Sequence, residues 1–405
     1  MGGSSSSEQV TETETPSFFT QEELSKLKSD FETGGVEKVK PLIQKKLTDL
    51  DKTELNVAVM GETGAGKSTF INAMRGLQSD DPGAAEVGNT ETTMEPARYS
   101  HPTLPNVRYW DLPGIGSTRF TAAKYLTEMR FKRYDFFIII SACRFRANDV
   151  KLAREIKRLG KRFYFVRSKI DADLKSMRED DKVFNKEEVL DKIRSDCEKK
   201  LKQAGILNPA VFLIDSLKKM FDFNQLNEEL ERDLNNVKKR IFVLALPNLS
   251  VEIVQRKYEI LNKDIWIFAT LSGGLGAVPV PGFSLTCDIG ILIGAIVHFR
   301  KCLGLDDTSL QSLAKRAGKP VEELKVTLKA PLLGNITPDV IMMIGWGTTA
   351  AAVSLLEIAL HHVPVIGSIF GAGSSFLMTL KMLSCALDDL RENAERVVKV
   401  AFETD

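Results

Sequence analysis

Short apolar runs recur along the first part of the chain, each followed by a polar turn. Leu55–Met60 and Phe163–Arg167 are continuous and rich in β-branched or aromatic residues, the pattern of parallel strands covered on both faces. Val107–Asp111 and residues 210–215 read as further strands, and residues 68–74 repeat at helical spacing. Strands alternating with helices predict an α/β unit on a mostly parallel sheet. Ahead of it, Leu24, Leu27, Phe31, Val36, Val39, Leu42, Ile43 and Leu47 follow a helical period up to about residue 50.

The pattern changes beyond residue 240. Between 265 and 297 Asp288 is the one charged residue, and between 340 and 380 it is Glu357. Each stretch is broken near its centre by a Val-Pro-Val turn, at Val278-Pro279-Val280-Pro281-Gly282 and at Val363-Pro364-Val365-Ile366-Gly367, which suggests two related helical hairpins. Their arms are at or below the roughly 20 residues that span a bilayer. Three readings stand: buried core of a helical domain, shallow membrane insertion, or full spanning. The charged segment 306–329 between them reads as soluble helix. The expected organisation is therefore a disordered terminus at 1–20, a helical segment at 21–50, an α/β domain at 51–240 and a helical domain at 241–405, the last with hairpin-like segments at 265–299 and 340–380.

Chemistry enters where the strands end. Residues 61–68, Gly-Glu-Thr-Gly-Ala-Gly-Lys-Ser, follow one strand and open a helix, the context required of G-x-x-x-x-G-K-[ST]. The loop glycines (Gly61, Gly64 and Gly66) let consecutive N–H groups face a phosphate, and the helix N-terminus adds positive charge behind them. Glu62, Thr63, Ala65 and Thr69 complete the nucleotide-binding stretch. Lys67 would place its ammonium between the β- and γ-phosphates, and Ser68 would ligate Mg2+. Asp111, ending its strand at the carboxyl edge of the sheet, would hold Mg2+ through water, and the Gly114 N–H would sense the γ-phosphate. In the polar stretch between them Thr92 and Thr93 are both candidates for a switch ligand to Mg2+ and the γ-phosphate, with Thr93 assigned to the metal and catalytic sets. A carboxylate at Asp171 can accept from both N1–H and N2–H2 of guanine, whereas adenine offers an acceptor at N1. Ser168 and Lys169 belong to the same loop, the lysine stem lying over the base plane. Ser216 is a further candidate, for guanine O6 through its backbone, with a helix-capping serine as the alternative.

These residues resemble a family, the immunity-related, interferon-inducible GTPases. The resemblance rests on residues 61–68, on Thr92-Thr93-Met94, on Trp110-Asp111-Leu112-Pro113-Gly114-Ile115-Gly116-Ser117, and on the longer strings 134–141 and 163–171. It continues more loosely through residues 302–310, and the C-terminal half is closer to the fish-type or constitutively expressed members. The resemblance implies a Ras-like P-loop G domain mounted on an α-helical domain formed by the N- and C-terminal segments, with nucleotide-dependent self-assembly on intracellular membranes. It also implies GTP hydrolysis to GDP and phosphate, with a role in cell-autonomous immunity. The residue after Gly114 is Ile115, where Ras-like enzymes carry a Gln that orients water. Turnover by one subunit should then be slow, with Glu91, Arg119, Lys124 or a second subunit supplying what is missing. The alternative is a nucleotide-gated membrane scaffold that scarcely turns over. A P-loop ATPase or kinase is disfavoured by Asp171.

Composition narrows this further. The 405 residues allow two domains, and 55 Lys and Arg against 54 Asp and Glu give no global charge drawing the chain to nucleic acid or membrane. The basic runs 130–133 and 238–240 read as solvated faces. Five Cys without pair spacing suit a reducing cytosol, and four His form no ligand set. The N-terminus lacks an apolar segment, so no signal peptide is expected. It begins Met1-Gly2-Gly3-Ser4-Ser5-Ser6, a match for myristoylation of Gly2. One such chain anchors marginally, so peripheral association of a cytoplasmic protein would need a second membrane signal.

Overall fold

A computed structural model describes residues 19–88, 95–113, 125, 128–142, 147–180, 185–207, 209–218, 220–273, 278–279, 286–287, 289–328, 336 and 374–402. Its sheet contains β1 (Leu55–Met60), β2 (Ala97–Ser100), β3 (Val107–Asp111), β4 (Phe136–Ser141), β5 (Phe163–Arg167), β6 (Val211–Asp215) and β7 (Met220–Phe221). The strand order is β2-β3-β1-β4-β5-β6-β7. The five central strands are parallel, and the edge strands β2 and β7 run antiparallel to their neighbours. β1 lies between β3 and β4, with Val59 opposite Asp111 on one side and Met60 opposite Ile139 on the other. The strand order thus reverses about β1, and the crevice at its carboxyl end is where open α/β sheets take ligands.

Period-two alternation splits β1 between two cores. Leu55, Val57 and Val59 pack with Phe70, Tyr109, Ile138, Phe223 and Phe242, while Ala58 and Met60 pack on the opposite face with Phe137, Ile139, Leu152, Phe165 and Leu201. Helices α1 (Gln21–Lys52), α2 (Lys67–Met74), α3 (Ala147–Arg158), α4 (Ile170–Asp180), α5 (Lys186–Gln203), α6 (Phe223–Arg232) and α7 (Asn236–Ala245) precede or cover the sheet. Next come α8 (Val251–Asn262), α9 (Ile265–Gly273), α10 (Ile289–Cys302), α11 (Asp307–Ala317), α12 (Val321–Val326) and α13 (Ser374–Phe402). A third core joins the two chain ends, with Val39 and Ile43 of α1 against Leu261, Trp266, Phe299, Leu383 and Leu387.

The described part of the first apolar stretch is core. Ile265, Trp266, Ile267 and Ala269 of α9 and Leu292, Ala295, Ile296 and Phe299 of α10 are buried in that third cluster. Among the described residues no helix is long and apolar enough to cross a membrane. Most of the second stretch, from 340 to 373, lies outside the described residues, as do Gly2, His361 and His362. The segment 306–329 is two helices rather than one. Gly318, with φ +66°, closes α11 and Pro320 caps α12, so the helix stops where a left-handed residue and a proline meet.

The basic run 238–240 is not the solvated face its composition suggests. Lys238 pairs with Asp135 at 2.5 Å, Lys239 lies 3.8 Å from Glu231, and Arg240 forms a buried bidentate pair with Asp264, Nη1 to Oδ1 at 2.8 Å. In the other run Arg133 stacks 3.8 Å from the Trp110 ring centroid. The Arg240–Asp264 pair matters because α7 faces two ways: Ile241, Phe242 and Ala245 belong to the sheet core, Val243 and Leu244 to the helical core. Burial pushes the Asp264 carboxyl up against the opposing pull of Arg240. Replacing Asp264 by Ala removes the carboxylate from a buried bidentate pair and should cost about 3–5 kcal/mol in urea denaturation, whereas Arg240→Met with Asp264→Leu should recover most of it. A single-variant loss under about 1 kcal/mol would show that the pair does not join the two cores.

Candidate functional site

β1 ends at Met60 and the chain turns through residues 61–66 into α2. At Gly61, φ is +149° and a Cβ would stand 2.1 Å from the Ile140 carbonyl oxygen of β4, so no side chain fits there. Gly66, with φ +92°, sits at the N-cap of α2. No side chain caps that helix and no acid occupies its first turn, so its leading N–H groups stay available and its positive end is not offset. Lys67 folds back over the loop, its Nζ donating to the carbonyls of Gly61 at 3.2 Å and Glu62 at 3.3 Å. Thr63 is exposed at the crest and Ala65 is buried beneath it.

Ser68 and Asp111 meet at the carboxyl edge of β1 and β3, the serine hydroxyl donating to Asp111 Oδ2 at 3.2 Å. Asp111 is 2% exposed, and its Oδ1 has no hydrogen-bond partner among the described residues. Burial raises its pKa, opposed by the charge of Lys67 and the bond from Ser68. A buried, orphaned carboxylate oxygen beside a hydroxyl fits a hydrated divalent cation. Among the described residues no group of three or more His, Cys, Asp or Glu side chains could hold a metal. The donor set therefore fits an ion that takes most of its ligands from phosphate and water, as Mg2+ does.

The end of β5 is tied to this loop. Ser168 is buried; its hydroxyl donates to the Ala65 carbonyl at 2.6 Å, and its N–H donates to Ser141 O at 2.9 Å. Lys169 is exposed in the left-handed region, φ +58°, and α4 begins directly after it with Asp171 half-buried in its first turn. Two residues that the sequence reading passed over hold this corner. Arg167, buried at the end of β5, donates to the Ser168 carbonyl at 2.7 Å and to the Ala142 carbonyl, and pairs with Asp173. An arginine ending a buried strand must find partners nearby, and an acid six residues on was the available signal.

Ser216 follows β6 in a turn, where Asp215 Oδ1 accepts the N–H groups of Leu217 at 2.9 Å and Lys218 at 3.3 Å. It does not cap a helix, since α6 starts at Phe223 behind Asp222. Its hydroxyl is buried without a partner among the described residues. Thr69 is half-buried and lines, with Ser216 and Lys218, a groove of about 760 Å3. Thr92, Thr93, Gly114, Ile115, Glu91, Arg119 and Lys124 lie outside the described residues.

The family model of Interferon-inducible GTPase (IIGP) matches residues 20–345. Interferon-inducible GTPase 5 of Rattus norvegicus is 38% identical over 398 residues, 98% of this chain and 86% of its own length. Interferon-gamma-inducible GTPase 10 of Mus musculus is 39% identical over 382 residues, covering 94% and 89%. T-cell-specific guanine nucleotide triphosphate-binding protein 2 of Mus musculus is 42% identical over 304 residues, covering 75% and 73%.

The two glycine positions separate space from backbone conformation. Gly64 has φ +77° with nothing within 4 Å of an added Cβ, while Gly61 meets the β4 main chain. Gly64→Ala should cost about 1–2 kcal/mol of backbone strain, and Gly61→Ala clearly more, read by chemical denaturation of the two variants side by side. Equal losses would mean that the loop can retreat from β4.

Proposed function

The chain belongs to the interferon-inducible GTPase family, and from that premise we propose that it binds GTP in the crevice at the end of β1 and hydrolyses it to GDP and phosphate. The observation that carries the reading is the Ser68–Asp111 contact with its orphaned carboxylate oxygen, set under an uncapped helix N-terminus. In this reading residues 51–240 form the G domain, and residues 21–50 and 241–405 supply the helical domain.

The phosphates lie along the N–H groups of residues 61–69, from Gly61, Glu62 and Thr63 through Gly64, Ala65 and Gly66 to Thr69. Lys67 exchanges its two loop carbonyls for phosphate oxygens, a stronger, charge-assisted pairing. Mg2+, when bound, supplies charge neutralisation at the β- and γ-phosphates; Ser68 and Thr93 would hold it directly and Asp111 through water. Gly114 would report the γ-phosphate. Asp171 accepts from guanine, Lys169 covers the ring, Ser216 offers its backbone to O6, and Ser168 keeps the base loop and the phosphate loop in register.

Ile115 cannot orient water, which supports completion of the site by a second copy. GTP then favours self-assembly and hydrolysis reverses it, with a cytoplasmic pool associating peripherally with intracellular membranes through Gly2 and the apolar C-terminal stretches. The setting is cell-autonomous immunity. The same isoleucine favours a second reading, a nucleotide-gated scaffold with little turnover.

Phosphate release measured with GTP and ATP across protein concentration separates the readings. The per-subunit rate with GTP should rise with concentration and ATP should give none; a rate that stays flat across the assembly range removes the second copy from the mechanism. Lys67→Ala should lower GTP turnover by about 10^2–10^3. Asp171→Asn exchanges an acceptor for a donor, so it should weaken GTP by about tenfold or more and favour xanthosine triphosphate, whose base carries an oxygen at position 2. Unchanged base preference would take Asp171 out of the pocket.

A further inference from the structure

Where the helix behind the phosphate loop ends, four cations line a cavity of about 90 Å3 that has no Asp or Glu in its lining; Lys301 is exposed, and the other three, from three separate elements, are buried or half-buried. Arg75 directly follows α2, Lys257 is on α8 and Arg316 is on α11. Arg75 is 7% exposed; its Nε donates to Ser100 O at 3.0 Å, and its Nη1 is buried with no partner among the described residues. Arg316 Nη2, set against Gly76, is likewise buried and unpartnered. Lys257 is 3% exposed and donates to the Cys302 carbonyl at 2.9 Å, two of its three donors lying beyond that bond.

The neighbours offset only part of this charge: Asp81 acts on Arg316, and Cys302, whose thiol pKa is lowered, acts on Lys257. His101 stays neutral: burial and the charges of Lys257 and Arg75 push it down to about 3, and its Nδ1 accepts from the Thr103 and Leu104 N–H groups at 3.3 Å. Burial brings Lys257 down to about 8 against the opposing charge of Cys302, and Arg316 to about 10 against that of Asp81. The carboxylate whose charge acts on Arg316, Asp81, is already engaged by Lys315 at 2.9 Å and by the Gln78 N–H at 2.7 Å. Two guanidinium nitrogens without acceptors, in a site that carries net positive charge, are costly unless an anion supplies both acceptor and charge. Ser312 on α11 also lines the cavity and adds a hydroxyl donor, whereas the Ser309 hydroxyl, which lines it too, is already donated to Asp306 Oδ2 at 2.6 Å. Forked guanidiniums converging with an ammonium match a tetrahedral oxyanion with several acceptor oxygens.

We propose that this cavity, between the sheet and the helical core and separate from the crevice at β1, binds the phosphate group of a phosphate-bearing anion held by Arg75, Lys257 and Arg316. Free phosphate and a phosphorylated lipid headgroup share that chemistry.

The test uses the full chain loaded with GDP and Mg2+, so that the crevice at β1 is filled, and measures inorganic phosphate binding by equilibrium dialysis. One saturable site per chain is expected, weakened about tenfold or more in Arg75→Gln/Arg316→Gln, since each buried charged partner lost is worth at least one such factor. Arg316→Gln alone, at a half-buried helix position, gives the same direction if the double variant fails to fold. Sedimentation with phosphatidylcholine vesicles, with and without phosphatidylinositol phosphate, assigns the source: vesicle binding lost in the arginine variants supports a lipid headgroup, and dialysis binding without vesicle binding supports free phosphate. Absence of both, or equal binding by parent and arginine variants, overturns the proposal.

Discussion

Because the main chain of β4 passes so close to Gly61 that a Cβ would sit 2.1 Å from the Ile140 oxygen, the loop after β1 has one course open to it. It must rise off the sheet edge and turn back into α2. That course sets where Lys67 can fold, which N–H groups face outward and how near Ser68 comes to Asp111. The close approach follows from the sheet itself, since β1 is hydrogen-bonded to β3 and β4 and buried along its whole length. Loop geometry is thus inherited from packing below it rather than from bonds within it.

The second constraint is electrostatic. The positive end of α2, Lys67 and the buried Asp111 stand within one crevice, and each alone would be unfavourable: a lysine aimed into a loop, a carboxylate at 2% exposure. Each partly offsets the other, as the opposing effects on the Asp111 carboxyl record. The residual imbalance, one orphaned carboxylate oxygen and an uncapped helix end, has the shape of a cation–phosphate pair. Ser168 extends the same economy to the base side, because its hydroxyl bonds a carbonyl of the phosphate loop and so couples two corners of the site.

Much of this was legible in the residues. The strands at 55–60, 163–167 and 211–215 were readable because burial on both faces leaves near-continuous apolar runs, the strand at 107–111 by its alternation of buried and half-buried positions, and the phosphate loop because its spacing is mechanical. The interior pairs were not. Arg167 and Arg240 look like surface charges until the acids that pair with them are in place, and Arg133 until the Trp110 ring lies against it; Arg240 finds Asp264 only when α7 turns one face to each core. The break at Gly318 was readable in principle, since Gly-Lys-Pro stops a helix, but the surrounding charge pattern continues as though it did not.

α2 links these observations. Its eight residues span about 12 Å, with Lys67 and Ser68 at one end and Arg75 directly beyond the other. Phe70, Ile71, Ala73 and Met74 between them are buried, so the helix is packed along its length. Its far end lies at the cavity between sheet and helical core, where Arg75, Lys257 and Arg316 come from three elements that share no covalent neighbourhood. α7 and the Arg240–Asp264 pair hold the two cores together at a second point. A short packed helix with a polar task at each end thus joins the phosphate loop to the contact between the two cores, and it does so because its apolar face, not its polar ends, fixes its position.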